Sequence, residues 1–142
     1  MAGQLQFDLV SPERLVLSEP VDQVIVPGVE GDFGALPEHS NLISLIRPGV
    51  LYVYKGGPGA NTAPERIFVG GGFAEVTATS CTVLAEQATP VSEIDRTFAE
   101  KAIADAREDL DDAKDDVSKA VAQNALKVAE ARLAAVVEQS TY

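Results

Sequence analysis

The chain has no tryptophan, a single cysteine, a single histidine and a single methionine, and beyond Pro90 it has neither glycine nor proline. Each scarcity excludes something. The lone cysteine, Cys81, cannot form an internal disulfide, which fits a reducing compartment. It lies in Ser80-Cys81-Thr82-Val83-Leu84, a strand-like run, so a buried and inert thiol is expected rather than a nucleophile. No serine or cysteine is visibly paired with His39, so a nucleophilic triad cannot be assembled and a small hydrolase is disfavoured. Without tryptophan, and with one of three tyrosines at the terminal Tyr142, an aromatic groove for carbohydrate is disfavoured too. No apolar run approaches the ~20 residues needed to span a bilayer, so no direct membrane insertion is expected. Met1-Ala2-Gly3-Gln4 starts no basic region followed by an apolar core, so no signal peptide is expected.

What is present is acid and aliphatic carbon. The 142 residues carry a formal charge of −11, which argues against nucleic acid or an anionic lipid surface as a direct partner. With 46% apolar residues the protein can bury a core. All eleven glycines and all eight prolines lie at or before Pro90. Both residues punctuate turns and are expelled from helix interiors, so a domain boundary is expected there: residues 1–89 and residues 90–142.

The first part reads as short strands. Leu5, Phe7 and Leu9 alternate with Gln4, Gln6 and Asp8; Leu15 and Leu17 resume the pattern after Ser11-Pro12-Glu13. Val21 to Val26, Leu42 to Ile46, Val50 to Tyr54, Arg66 to Val69, Phe73 to Ala78 and Cys81 to Glu86 follow, with Arg47-Pro48-Gly49 as a turn and Lys55 to Pro64 as a hairpin tip. Gly70-Gly71-Gly72 is followed by strand-like sequence and not by a helix, so a bulge or tight corner is expected there and not a phosphate loop. Closely spaced strands without interleaved helices predict a β-sandwich of antiparallel sheets.

The second part is alanine-rich and helical. Ser92 with Asp95 three residues later suggests a capped start, and Phe98, Ala99, Ala102, Ile103, Ala106, Leu110 and Ala113 share one apolar stripe. Between Glu108 and Asp116 stand six acids and one lysine, with like charges four apart, which disfavours unbroken helix. The run lacks the central glycine and terminal glutamate of a calcium loop, so no metal site is expected. A hairpin hinged near 109–116 is one solution, and one long helix over 93–138 is the other. The second helix, about Val117 to Glu138, carries Ala122, Leu126, Ala129, Leu133, Val136 and Val137 on one face, with Val117, Val121 and Val128 nearly opposite. Two partial faces imply two neighbours. Alanine offers little area at roughly 25 cal/mol per Å², so the pair is expected to dock weakly enough to act as a switch.

The most distinctive stretch is Gly28-Val29-Glu30-Gly31-Asp32-Phe33-Gly34-Ala35-Leu36-Pro37-Glu38-His39. Its three glycines at three-residue spacing predict a tight corner, with Glu30 and Asp32 at the tip and Phe33 and Leu36 as apolar anchors. A rigid docking corner fits this better than a flexible linker.

With Arg47-Pro48-Gly49, Gly71 to Val76 and Thr82-Val83-Leu84-Ala85, that stretch resembles the epsilon subunit family of bacterial F-type ATP synthases, called delta in mitochondria. The resemblance covers the whole chain. It implies an α+β fold, an N-terminal antiparallel β-sandwich followed by a C-terminal α-helical hairpin. It also implies a non-catalytic rotor subunit that joins the gamma shaft to the ring of c subunits. Such a subunit would be peripheral on the cytoplasmic face of the bacterial inner membrane. By the same resemblance Glu30, Gly31 and Asp32 face the c ring, while Ser11, His39 and Ser44 face gamma. A free-standing binding or adaptor module with a helical tail is the alternative.

Two departures bear on regulation. Ile94-Asp95-Arg96-Thr97-Phe98-Ala99 stands where some relatives carry an ATP-binding I/L-D-x-x-R-A motif. Ile94 and Asp95 match it, but Phe98 replaces the phosphate-facing arginine, leaving a remnant of the motif and an expectation of no cofactor. Inhibitory relatives extend basic tail helices against an acidic segment of the catalytic beta subunit, so by the resemblance the alpha and beta subunits are further partners of the tail. Here the tail has seven Lys/Arg and twelve Asp/Glu after Pro90, so weak or absent inhibition is expected.

Overall fold

The computed structural model describes residues 4–12, 14–56 and 63–137. The proposed hairpin tip falls partly, over 57–62, outside the described residues, as do the start of the chain, Glu138 and Tyr142.

Among the described residues ten strands come first: β1 (Leu5–Ser11), β2 (Arg14–Val21), β3 (Gln23–Gly28), β4 (Gly31–Ala35), β5 (Leu42–Ile46), β6 (Gly49–Tyr54), β7 (Glu65–Val69), β8 (Gly72–Val76), β9 (Ser80–Ala85) and β10 (Ala88–Pro90). They form one curled sheet in the order β10-β7-β6-β3-β5-β8-β9-β1-β2, with β4 on a further edge of β3. The alternation seen in the sequence decides which side of β1 turns inward, whereas in β2 a bulge opposite Leu9 and Val10 turns Leu17 to the core and Leu15 to the outer face. Leu5, Phe7 and Leu9 of β1, Val24 and Val26 of β3, Leu51 and Val53 of β6, and Val76, Cys81 and Val83 of β8 and β9 form one core. Because residues from both halves of the sheet meet there, the sheet closes on itself as a sandwich. Among the described residues all pairings are antiparallel except one: β1 lies parallel to β9, Phe7 opposite Cys81.

Burial pushes the Cys81 thiol up to about 12, so thiolate is scarce at neutral pH. At one side of the sandwich the Lys55 ammonium bridges Glu19 of β2 and Glu65, the latter at 2.7 Å, tying the two halves together. Burial alone would lower the Lys55 pKa; the two carboxylates outweigh it, and the net shift is upward.

After a 3-10 turn at Val91–Glu93 come α1 (Arg96–Asp112) and α2 (Asp116–Val137). The backbone bends at Ala113 to Asp115, inside the acidic run, and the two helices pack along each other as a hairpin. Asp115 makes the bend: its carboxylate accepts from the Ser118 amide at 2.7 Å, and the Ser118 amide and hydroxyl hold its pKa below the ordinary carboxylate value. Ser92 does not cap the first helix. It sits in the 3-10 turn, and the cap is Asp95, whose Oδ1 accepts from Thr97 and Phe98 amides at 2.8 and 3.3 Å. Phe98 is also not part of the buried stripe. Ala99, Ile103 and Ala106 are buried while Phe98 is 65% exposed, because the face turned to α2 is narrower than the apolar arc of the wheel.

The sandwich supplies the second neighbour of α2 over part of its length. Val128 and Ala135 pack with Phe68 and Val91, and Val50, Ile94 and Ala131 complete this smaller cluster. Phe68 lies between the core residues Ile67 and Val69, so it points outward from β7 and is buried by the helix. Val117 and Val121 lie beyond that support and stay 74% and 65% exposed.

Candidate functional site

The glycine-spaced corner is the β3–β4 hairpin, with Gly28 opposite Gly31 and Val29-Glu30 as a two-residue tip. A Cβ on Gly28 would stand 2.7 Å from the Gly31 carbonyl oxygen, and Gly31 itself has φ +132°, so the turn demands glycine on both sides. Glu30 and Asp32 are exposed, and Phe33 packs against the main core as the anchor.

What braces the corner is Arg47, a residue whose place in the sequence marks only a turn. Its guanidinium donates to the Gly28 carbonyl at 2.5 Å and pairs with the Asp32 carboxylate. Its backbone amide donates to the Pro27 carbonyl at 3.0 Å, while the Val29 amide donates to Leu45 at 3.0 Å. The signal available in the sequence was a cation placed between an apolar strand and a Pro-Gly turn. Of the two acids near the tip, Asp32 is therefore held by an internal ion pair, and Glu30 presents its charge at the tip itself. Since the Arg47–Asp32 pair is half exposed, Arg47→Ala is expected to cost only about 1 kcal/mol globally. Its local effect should be larger: hydrogen exchange at Glu30 to Phe33 should quicken well beyond that of the core strands. Equal acceleration everywhere would show that Arg47 does not brace the corner.

A second feature lies on the outer face of the half-sheet β5-β8-β9-β1-β2. The registers Leu45↔Phe73, Phe73↔Leu84, Leu84↔Val10 and Val10↔Leu15 align five apolar side chains in one row across five strands. Leu45, Phe73, Leu84 and Leu15 are 65, 43, 38 and 60% exposed, and a groove of about 460 Å³ opens beside Phe73 and Leu84. Monomeric proteins seldom leave such a contiguous stripe to water, so this face reads as an interface.

Two of the three residues expected to face gamma, Ser11 and Ser44, lie on strands of this half-sheet, and His39 lies in a loop beside it. Ser11 ends β1 and lines the groove; Ser44 sits in β5 opposite the core residue Ala74, on the other side of the strand from Leu45, its hydroxyl donating to the Leu45 carbonyl at 3.0 Å. His39 lies in the loop leading into β5, its Nδ1 donating to the Ser40 carbonyl at 2.5 Å. That loop is tied to the β8–β9 turn by the Glu38 amide, which donates to Ala78 at 2.7 Å, with Glu38 at φ +68°. The corner residues Glu30, Gly31 and Asp32 form a separate surface on the β3–β4 hairpin.

The remnant motif is not gathered into a site. Ile94 packs in the smaller cluster, Asp95 is committed to capping α1, and Phe98 stands in solvent. Arg96 pairs along its own helix with Glu100 at 3.0 Å. Among the described residues no group of three or more His, Cys, Asp or Glu side chains is gathered as a metal site, and no helix is long and apolar enough to cross a membrane.

Residues 4–91 match the family described as the beta-sandwich domain of the ATP synthase delta/epsilon chain, and residues 95–142 match the C-terminal domain of the ATP synthase epsilon chain. The protein is 46% identical to an ATP synthase epsilon chain of Rhodospirillum centenum, over 98% of its own length and 96% of the relative's. It is 50% identical to that of Paramagnetospirillum magneticum, over 96% and 99%. Among solved structures it is similar to a subunit of the Euglena gracilis mitochondrial ATP synthase, OSCP/F1/c-ring in rotational state 1. That match has a TM-score of 0.80 and 26% identity, and covers 96% of this protein and 83% of the other. A subunit of the Tetrahymena thermophila mitochondrial ATP synthase central stalk and c-ring shares the fold at a TM-score of 0.70 and 13% identity, covering 94% and 96%.

Proposed function

We infer that this protein, which belongs to the epsilon chain family of the ATP synthase, is a non-catalytic subunit of the central stalk that couples the gamma shaft to the c ring. Two docking surfaces on one stiff body carry the reading. The corner braced by Arg47 offers Glu30 and a fixed backbone to the polar loops of the c ring. The apolar row from Leu45 to Leu15, with Ser11 in the groove at its edge, offers gamma a dry face. Torque passes through such a block because a closed two-layer sheet has few soft coordinates between its two surfaces, whereas a linker would absorb the rotation. No reaction is required of this subunit, and its place is peripheral, on the cytoplasmic face of the bacterial inner membrane.

The helical hairpin serves regulation weakly at most. Its acidic balance opposes docking on an acidic segment of the catalytic subunits, and Phe98 removes the phosphate-facing arginine of nucleotide-binding relatives. The test is reconstitution with gamma and c-ring subunits. The full-length protein should co-purify with both; Glu30→Lys should weaken the c-ring contact and leave the gamma contact intact. Deleting residues 91–142 should barely change ATP hydrolysis by the assembled enzyme. Failure to bind either subunit overturns the rotor reading, and a sharp rise in hydrolysis overturns the weak regulation.

A further inference from the structure

We propose that Arg132 is the latch that holds the helical hairpin down on the sandwich. This rests on the reading that the hairpin docks reversibly, and it names the residue that sets the balance. The apolar contact under α2 is small: Val128, Ala131 and Ala135 meet Phe68, Val91, Val50 and Ile94. Two of the three helix residues are alanine, whose buried area contributes little. Arg132 sits amid them on the same helix. Its guanidinium carbon lies 5.2 Å from the centroid of the Phe68 ring, and its Nη2 donates to the Gln87 side-chain oxygen.

Both anchors belong to the sandwich, one in its buried layer and one in a turn whose backbone is held. Phe68 is fully buried between core residues of β7. Gln87 lies in the turn between β9 and β10, where its own carbonyl accepts the Gly70 amide at 3.0 Å. A planar guanidinium can lie over an aromatic face and still donate from its edge, whereas an ammonium cannot do both from one position. The contact is therefore specific to arginine, and it joins hairpin and sandwich at a place where apolar burial is thin. Phe68 thus has two roles, as a floor for Val128 and as the face on which the latch closes.

The expected effect of losing a cation–π contact and a charged hydrogen bond together is roughly a tenfold rise in the undocked population. The measurement is electron–electron spin distance on the full-length protein, labelled through Ser18→Cys on β2 and Lys119→Cys on α2, with the buried Cys81 left in place. Arg132→Ala should raise the undocked fraction about tenfold with unchanged helix content, and Arg132→Lys should restore docking only in part. In a Phe68→Leu background, which keeps the apolar floor but removes the ring, Arg132→Ala should have a clearly smaller effect. Val128→Asp is the control that attacks the apolar contact directly. If Val128→Asp undocks the hairpin and Arg132→Ala does not, the latch is overturned alone. If neither changes the distances, reversible docking falls with it.

Discussion

Gly72→Ala is expected to destabilise the sandwich severely, while the same change one residue earlier costs far less. Gly72 is the first residue of β8, opposite both Ile46 of β5 and Ala85 of β9. A Cβ built there stands 1.9 Å from the Leu84 carbonyl oxygen and 2.9 Å from the Leu84 carbonyl carbon, and φ is +139°. The obstacle is backbone held in the ladder on both sides, so no rotamer change relieves it. Either β8 leaves β9 or the corner reorganises, and each course breaks ladder bonds above the core. A loss of more than about 4 kcal/mol is expected, from a domain whose whole stability is on the order of 5–10 kcal/mol. Gly71 also has positive φ, +113°, but its nearest neighbour would be the Ile46 carbonyl oxygen at 3.7 Å. Gly71→Ala therefore carries only backbone strain, about 1–3 kcal/mol. Thermal unfolding of the two variants is the measurement. Equal melting temperatures would show that the close approach of β8 to β9 is not what demands glycine.

Phe73→Glu is expected to leave the isolated subunit folded and to weaken binding to gamma by about a hundredfold or more. The side chain points out of the half-sheet, 43% exposed, between Leu45 and Leu84, so the free subunit loses little when it is changed. At an interface the same position is the one aromatic in a row of aliphatics, the kind of anchor that carries a disproportionate share of binding free energy. A carboxylate placed there would have to be desolvated against an apolar partner with nothing to pair it. A hundredfold loss corresponds to about 2.7 kcal/mol, within the range for a central aromatic anchor. Titration calorimetry with gamma decides the matter, with circular dichroism as the folding control. Undiminished affinity would remove the apolar row from the gamma interface, whatever else binds there.

Much of this was legible in the residues themselves. Period-two alternation placed β1 and identified its inward face, because a strand with one wet side must alternate, and β-branched and aromatic composition placed β6. The loss of glycine and proline after Pro90 announced helices. The acidic run marked where a hairpin would bend but left one long helix open; the structure sets a bend at Ala113 to Asp115 through the Asp115 cap. The glycine spacing foretold a tight corner at Gly28 to Gly31. What makes that corner stiff was not legible, because its brace comes from Arg47, fifteen residues from Asp32 in the sequence. Phe98 departs from the helical-wheel expectation for a related reason. A helical wheel reports which residues share a side but not how wide a neighbour will cover it.

What the amino-acid order determined alone is local: turn positions, the inward face of β1, the helical character of the tail and its charge. These follow from backbone sterics and from the periods of helix and strand, which need no knowledge of distant residues. Only the closed fold decided the rest. It aligned Leu45, Phe73, Leu84, Val10 and Leu15 from five strands into one apolar row, and it laid β1 parallel to β9. It turned Phe68 outward beneath Arg132 and brought Arg47 onto the corner. The physical reason is common to all four. Each joins segments that are distant in sequence, and their meeting is fixed by strand register and layer packing, which a linear pattern does not encode.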